Sequence, residues 1–179
     1  ERTLILFTGD NGTHRTLQSV LNGRTIQGGK GLTTDAGNHV PMIGFWPGTI
    51  PPGQVSEDII EFTDFLPTLL ETAGAEVPGD LDGRSFLPQL KGQPGNPRDH
   101  MFTYYNPRPE KTEPVCFVRE KRWKLYGDGR LYDVLADPLE KNPVTDLKEG
   151  SEGALAKARL EAALKTKPTE GQTLLQYAP

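Results

Sequence analysis

A short, uninterrupted apolar run near the start of the chain constrains the fold most strongly. Leu-Ile-Leu-Phe lies between two threonines in Thr3–Thr8, and Asp10-Asn11-Gly12 follows directly. A run without alternation is typical of a strand buried on both faces, as in a parallel sheet. A second segment of this kind is Pro41–Trp46. Both predict an α/β core, and because buried strands need neighbours, we expect further strands from upstream of residue 1.

The middle of the chain predicts a long loop and one helix. Residues 13–38 are polar and Gly-rich with no period, which predicts a loop. Residues 58–63 predict a short strand. Asp64 can cap a following helix that Gly74 ends. The apolar face predicted for this helix comprises Leu66, Leu69, Leu70 and Ala73.

The last part of the chain predicts a small antiparallel sheet covered by a helix. Four short strand-like segments, separated by turn signals, lie at 101–105, 115–119, 123–126 and 131–134. Gly127-Asp128-Gly129 predicts a hairpin turn, and Ala154 to Lys165 has the spacing of an amphipathic helix. We therefore predict an α/β part over residues 1–97 and an antiparallel-sheet subdomain with a helix over 98–179.

Composition excludes several classes of protein. The net charge is −4 and the pI is about 5.4, which offers no basic face for nucleic acid. No apolar run is long enough to cross a bilayer. The single cysteine excludes an internal disulfide and a cysteine-built zinc site.

Three basic residues near the third strand-like segment are predicted to lie on its solvated side. They are Lys121, Arg122 and Lys124.

Asp10 and Asn11 are the strongest candidate ligands of a metal ion. They follow a predicted buried strand, and open α/β sheets bind ligands at the carboxyl ends of their strands. A carboxylate and an amide oxygen are hard donors, which suit calcium or magnesium. The alternative interpretation is a plain Asp-Asn-Gly turn.

Lys30 is the candidate anion-binding residue. It lies in Gly28-Gly29-Lys30-Gly31, where glycines allow close approach of the backbone to an anion and the lysine adds a point charge. The pattern lacks the upstream glycine and the following Ser or Thr of a phosphate P-loop. The alternative is an exposed lysine in a flexible loop.

Taken in order along the chain, these motifs resemble the C-terminal half of sulfatases. The resemblance covers nearly the whole sequence, and five motifs in order are specific where one would be weak. The segments that carry it are 4–12, 28–41, 45–48, 64–74 and 82–85, followed by 123–126, 131–133 and 137–142.

The resemblance implies an alkaline-phosphatase-like α/β fold and a calcium-dependent sulfatase. It implies that Asp10 and Asn11 complete a calcium site begun by two aspartates upstream, and that Lys30 binds the sulfate. His14 could face the substrate, with an exposed loop histidine as the alternative. His39 is the second candidate for a substrate-facing residue. It stands where relatives often have an arginine, so a charge role at this position does not carry over directly.

The family's nucleophile is absent from this sequence. That nucleophile is a formylglycine made from a Cys/Ser-x-Pro-x-Arg motif, and Cys116 has no following proline. Cys116 is therefore interpreted as a small core residue. We expect the isolated chain to be inactive, and the intact enzyme to use calcium and a formylglycine located elsewhere in the protein.

Other classes stay open at this point. A phosphodiesterase or phosphonate hydrolase of the same superfamily commonly has Asp-His with two transition metals, whereas this chain has Asn11. A non-catalytic binding module is the third alternative. The sulfate ester itself is not specified by these motifs.

The family's usual location implies export to the periplasm or the extracellular space. Because the buried strands are expected to lack their upstream neighbours in this chain, the open sheet predicts self-association.

Overall fold

The computed structural model describes residues 2–21 and 23–167. Within these residues the chain forms eight strands, four α-helices and a 3-10 turn. In chain order these are β1 (Ile5–Thr8), β2 (Gln18–Leu21), β3 (Arg24–Gln27), α1 (Asp35–Asn38), β4 (Met42–Phe45), the 3-10 turn Phe62–Asp64, α2 (Phe65–Thr72), α3 (Leu87–Leu90), β5 (Met101–Tyr105), β6 (Val115–Arg119), β7 (Trp123–Tyr126), β8 (Leu131–Asp133) and α4 (Glu152–Lys165).

Contacts within the chain group the described residues into two compact units. The first contains residues 2–8 and 41–101, and the second contains residues 9–40 and those after 101. The predicted division between residues 97 and 98 stays a prediction about domains. The contact-based units divide the chain differently, because residues 9–40 pack with the residues of the C-terminal sheet.

In the first unit, β1 and β4 form a two-stranded antiparallel ribbon. Ile5 lies opposite Phe45 and Phe7 opposite Ile43, so these four side chains share one face. Each of the four is between 52% and 65% exposed. The prediction that Thr3–Thr8 is buried on both faces is therefore wrong for this chain, as it is for the segment that contains β4, because one face of the ribbon is open.

Helix α2 has the predicted ends, but the Asp64 side chain does not cap it as predicted, and the predicted face is not buried. It begins after Asp64 and stops before Gly74, whose φ is 70°. Thr68 is completely buried, and its hydroxyl donates to the Asp64 carbonyl at 2.6 Å. Leu66 and Leu69, predicted to pack inward, are 53% and 50% exposed. The leucine side of α2 is thus an open apolar surface.

Residues 58–63 do not form the predicted strand. Ile59 makes one isolated β-bridge with Arg98, and the segment then enters the 3-10 turn. The buried Asp64 carboxylate replaces strand pairing as the organising contact. It accepts hydrogen bonds from the Arg84 backbone N–H at 2.7 Å and from the Arg98 guanidinium, which fixes the connection that follows α2.

In the second unit, β5 to β8 form a four-stranded antiparallel sheet in chain order. Phe117 lies opposite Tyr126, and Leu125 opposite Leu131. The turn between β7 and β8 is closed by the Gly129 N–H, which donates to the Tyr126 carbonyl at 2.9 Å. The predicted sheet and hairpin turn are both confirmed.

Helix α4 covers one face of this sheet. The Ser151 hydroxyl caps it by accepting a hydrogen bond from the Ala154 N–H. The core between the helix and the sheet consists of Val118, Trp123, Leu125, Leu131, Ala156 and Leu160. The predicted helix on the sheet is confirmed. The sequence also predicts a tail after Pro168, and that segment lies outside the described residues.

Residues 13–38 contain regular structure, contrary to the prediction of a loop. Strands β2 and β3 form an antiparallel hairpin with Gln18 opposite Gln27, and α1 adds one turn of helix. Two apolar side chains of this hairpin lie open to solvent, since Val20 is 73% exposed and Ile26 is 37% exposed. Strands whose apolar side chains are exposed need no apolar alternation, which is why the pattern did not predict this hairpin.

Candidate functional site

Asp10 and Asn11 lie in the loop that leaves β1. Asp10 is exposed and Asn11 is half-buried. The loop is fixed at Gly12, whose N–H donates to the Gly37 carbonyl at 2.8 Å. A Cβ atom on Gly12 would lie 2.0 Å from the Ala36 carbonyl oxygen, so the close approach requires a glycine. Asp10 and Asn11 are thus adjacent residues that directly precede a closely packed glycine.

Lys30 lies in a second loop that packs directly against the first. Its backbone N–H donates to the Thr13 carbonyl at 2.9 Å, three residues after Asp10. The Arg15 guanidinium donates to the Lys30 carbonyl at 2.8 Å. A Cβ atom on Gly28 would lie 2.2 Å from the His14 carbonyl oxygen, so this packing also depends on glycine. The structure therefore joins the two predicted motifs and leaves the Lys30 side chain exposed.

The two candidate histidines have local partners. His14 is exposed, and its Nδ1 lies 2.9 Å from the Thr16 hydroxyl. His39 is also exposed, and its Nδ1 lies 3.5 Å from the Asp35 carboxylate. Their substrate-facing roles stay predictions.

Lys124 is the functional candidate that sequence reasoning missed. The prediction that it lies on a solvated face is wrong, because the side chain is completely buried. Its ammonium donates to Glu140 Oε1 at 2.7 Å and to the Thr33 carbonyl. The Phe117 and Tyr126 rings lie 4.0 and 4.8 Å from it. Burial lowers the pKa of Lys124, and the bond to Glu140 opposes that shift.

The face of the sheet opposite α4 is covered by the segment that contains Thr33. Side chains alternate along β7, so Leu125 faces the helix and Lys124 and Tyr126 face this segment. Burial and the hydrogen bond to Glu140 raise the pKa of Tyr126, which keeps the phenol protonated. Tyr126, two positions after Lys124 on the same face of β7, is a buried aromatic residue that could have indicated a covered face.

A second buried ion pair joins the sheet to the same segment. Arg119 donates to the Asp35 carboxylate at 2.8 Å, and His39 shares that oxygen. Burial alone would raise the pKa of Asp35, but the hydrogen bond from His39 and the charge of Arg119 lower it overall. Within the described residues, Asp35 Oδ1 and Arg119 Nε are buried without a hydrogen-bond partner.

No group of three or more His, Cys, Asp or Glu side chains among residues 2–21 and 23–167 could hold a metal ion. The role of Asp10 and Asn11 as metal ligands stays a prediction. Across the described helices, none is long and apolar enough to cross a membrane.

Comparison with known proteins places these motifs in context. Residues 29–168 match the family described as N-sulphoglucosamine sulphohydrolase, C-terminal. Arylsulfatase A from Bos taurus is 37% identical over 151 residues, which are 80% of this chain and 29% of that protein.

Solved structures of a sulfated-sugar complex and of a phosphonate hydrolase match nearly the whole chain. The structure of BT4656 in complex with its substrate D-glucosamine-2-N,6-O-disulfate matches with a TM-score of 0.70 and 27% identity, over 91% of this chain and 33% of that one. Phosphonate monoester hydrolase SpPMH from Silicibacter pomeroyi matches with a TM-score of 0.65 and 27% identity, over 91% and 34%. The chain thus spans about a third of these proteins, and the predicted fold class, the C-terminal part of an alkaline-phosphatase-like α/β fold with a small antiparallel sheet, is confirmed.

Proposed function

We propose a function from the premise that this chain belongs to the sulfatase family and corresponds to the C-terminal part of such an enzyme. The intact enzyme hydrolyses a sulfate ester, and this chain supplies one anion-binding lysine and two metal ligands. The hydrogen bond from the Lys30 N–H to the Thr13 carbonyl carries the proposal, because it joins the Lys30 loop to the loop of Asp10 and Asn11.

Asp10 and Asn11 fit a calcium ion by the chemistry of their donor atoms. Both offer oxygen, one anionic and one neutral, from adjacent positions on a loop that glycine packing holds in place. When bound, the ion supplies positive charge next to the sulfate oxygens. Calcium takes about six to eight oxygen ligands. The other ligands come from outside this chain, so we expect the chain alone to bind calcium weakly.

Lys30 binds the sulfate group in this proposal. Its exposed ammonium carries three donors for the sulfate oxygens, and its backbone is held by bonds to Thr13 and Arg15. Charge-assisted hydrogen bonds of this kind stabilise negative charge as it develops in the transition state. The nucleophile is a formylglycine outside this chain, so the isolated chain is expected to be inactive.

A phosphonate monoester hydrolase is the second candidate. The solved enzyme from Silicibacter pomeroyi has a TM-score of 0.65 to this chain, hardly below the 0.70 of the sulfated-sugar complex. Asn11 favours the sulfatase, because phosphonate hydrolases of this superfamily commonly have a histidine at that position and bind two transition metals.

The experiment is turnover of an aryl sulfate by the intact enzyme and by its Lys30→Ala variant. We expect kcat to fall by roughly 10²–10³, the usual cost of removing a group that stabilises transition-state charge. Lys148→Ala is the matched control, since that lysine is exposed and remote in sequence from both loops. Equal rates for wild type and Lys30→Ala would remove Lys30 from the site.

A further inference from the structure

We propose that the buried Lys124–Glu140 pair is a positioning site for the loop that carries Lys30. The inference rests on the proposed function for its catalytic consequence, but the mechanical link stands on the contacts alone. Lys124 does not touch substrate in this proposal, and it acts through the backbone of the segment that contains Thr33.

The first observation is where the buried charge is directed. A buried ammonium destabilises the fold unless it is paired and hydrogen-bonded. Lys124 has one carboxylate partner, Glu140, and its other hydrogen bond goes to the backbone carbonyl of Thr33, 91 residues away in sequence. A lysine needed simply to fill the sheet would have no reason to reach this carbonyl.

The second observation is the backbone of Glu140. Among the described residues it is the one non-glycine residue with a positive φ, at 53°. This conformation costs free energy for a residue with a Cβ atom and persists where the surroundings hold it. Its carboxylate, 4% exposed, accepts from both the Lys124 ammonium and the Tyr126 hydroxyl. The strained backbone therefore occurs at the residue whose carboxylate pairs with Lys124.

The third observation is the short path from Thr33 to Lys30. The Thr33 carbonyl also accepts a hydrogen bond from the Asn38 side-chain amide at 2.7 Å. The Thr33 hydroxyl lies 3.0 Å from the Tyr126 hydroxyl. The Leu32 N–H donates to the Gly29 carbonyl at 2.8 Å, which closes a turn around Lys30. Fixing Thr33 thus fixes the turn that carries Lys30.

Amide hydrogen exchange on this chain tests the mechanical link. The reporters are the Lys30 and Leu32 N–H groups in the loop and the Tyr126 N–H in β7, all hydrogen-bonded. For each N–H group we compare the exchange rate in Lys124→Met with the rate in the wild type. This ratio should be about tenfold larger for Lys30 and Leu32 than for Tyr126, because the loop opens locally. Leu125→Ala is the matched control, since it weakens the same strand from the opposite face and should raise both by similar factors.

Equal factors for loop and strand in Lys124→Met would overturn the proposal. If Lys124→Met fails to fold, Glu140→Gln takes its place, because it keeps the side-chain shape and removes the charge. The same excess of loop exchange is then expected, and its absence refutes the link.

A double-mutant cycle in the intact enzyme tests the catalytic consequence. Lys124→Met should lower kcat for an aryl sulfate, and should lower it no further when Lys30 is already alanine. Independent, additive losses would show a merely structural role and overturn the positioning claim. If wild-type enzyme hydrolyses no sulfate ester, the proposed function fails, and the exchange result decides the positioning claim on its own.

Discussion

Gly37→Ala tests the packing that joins the two motif loops. Gly37 is buried in α1, and its carbonyl accepts the Gly12 N–H. A Cβ atom at this position would lie 2.1 Å from the Leu32 carbonyl oxygen and 2.7 Å from that of Gly29. Both obstacles are backbone atoms, so neither can rotate away as a flexible side chain would.

Two effects of opposite sign compete in this variant. Alanine in a helix is favoured over glycine by about 1 kcal/mol. The contact to Leu32, however, is about 0.9 Å shorter than the 3.0 Å below which Cβ contacts are essentially never found. Overpacking of this kind costs about 1–3 kcal/mol. The steric cost wins, and the loop of Lys30 must move to relieve it.

Thermal unfolding measures the outcome. For a chain of 179 residues, each kcal/mol lowers Tm by roughly 2–4 °C, and we expect a net decrease. Gly79→Ala is the matched control, because its Cβ would meet nothing within 4 Å. It should leave Tm unchanged or raise it slightly. If Gly37→Ala is as stable as Gly79→Ala, the close packing of the two loops is refuted.

Three further predictions follow from burial and charge. Leu160→Ala should cost about 2–5 kcal/mol in urea unfolding, because it empties the core under α4, whereas Leu155→Ala, 53% exposed, should cost little. The chain should self-associate in sedimentation, and Phe7→Glu should favour the monomer, since Phe7 lies on the open apolar ribbon. The hydrogen bond from Arg122 lowers the pKa of Asp133, so this pair stabilises the fold above about pH 4 and its contribution is lost as pH falls through the lowered pKa. Urea unfolding of Asp133→Asn at pH 7 and pH 3 should show the larger loss at pH 7.

Each of these has a result that contradicts it. Equal losses for the two leucine variants would place the core of the second unit elsewhere. A monomeric wild-type chain, or a Val55→Glu control that dissociates as well as Phe7→Glu, would refute association through the ribbon; Val55 is 93% exposed and lies outside it. A loss in Asp133→Asn that does not depend on pH would remove the ion pair as its cause.

Local signals predicted the second unit's sheet and α4 well. Turn glycines such as Gly129 and strand alternation are properties of adjacent residues, and the structure confirms them. Burial was predicted poorly where it depends on distant partners. Thr3–Thr8 and the leucines of α2 have the composition of buried elements, yet one face of each is open in this chain.

In the candidate site, too, local motifs were predicted well and burial by distant segments was not. Asp10, Asn11 and Lys30 were found from local motifs, and the structure brings their loops together. Lys124 was missed because its burial depends on Thr33, 91 residues earlier, which covers that face of the sheet. A lysine between apolar residues in a strand otherwise indicates a solvated position. Tyr126 could have indicated that the face is covered, but no local pattern reveals which segment covers it.

The specificity of the intact enzyme tests the central claim most directly. We would measure kcat/KM for an aryl sulfate and for the matching aryl phosphonate monoester, together with the metal content of the purified protein. The account predicts preference for the sulfate ester and bound calcium, with both lost in Asp10→Ala. Preference for the phosphonate with two transition metals, or full activity in Asp10→Ala, would contradict it.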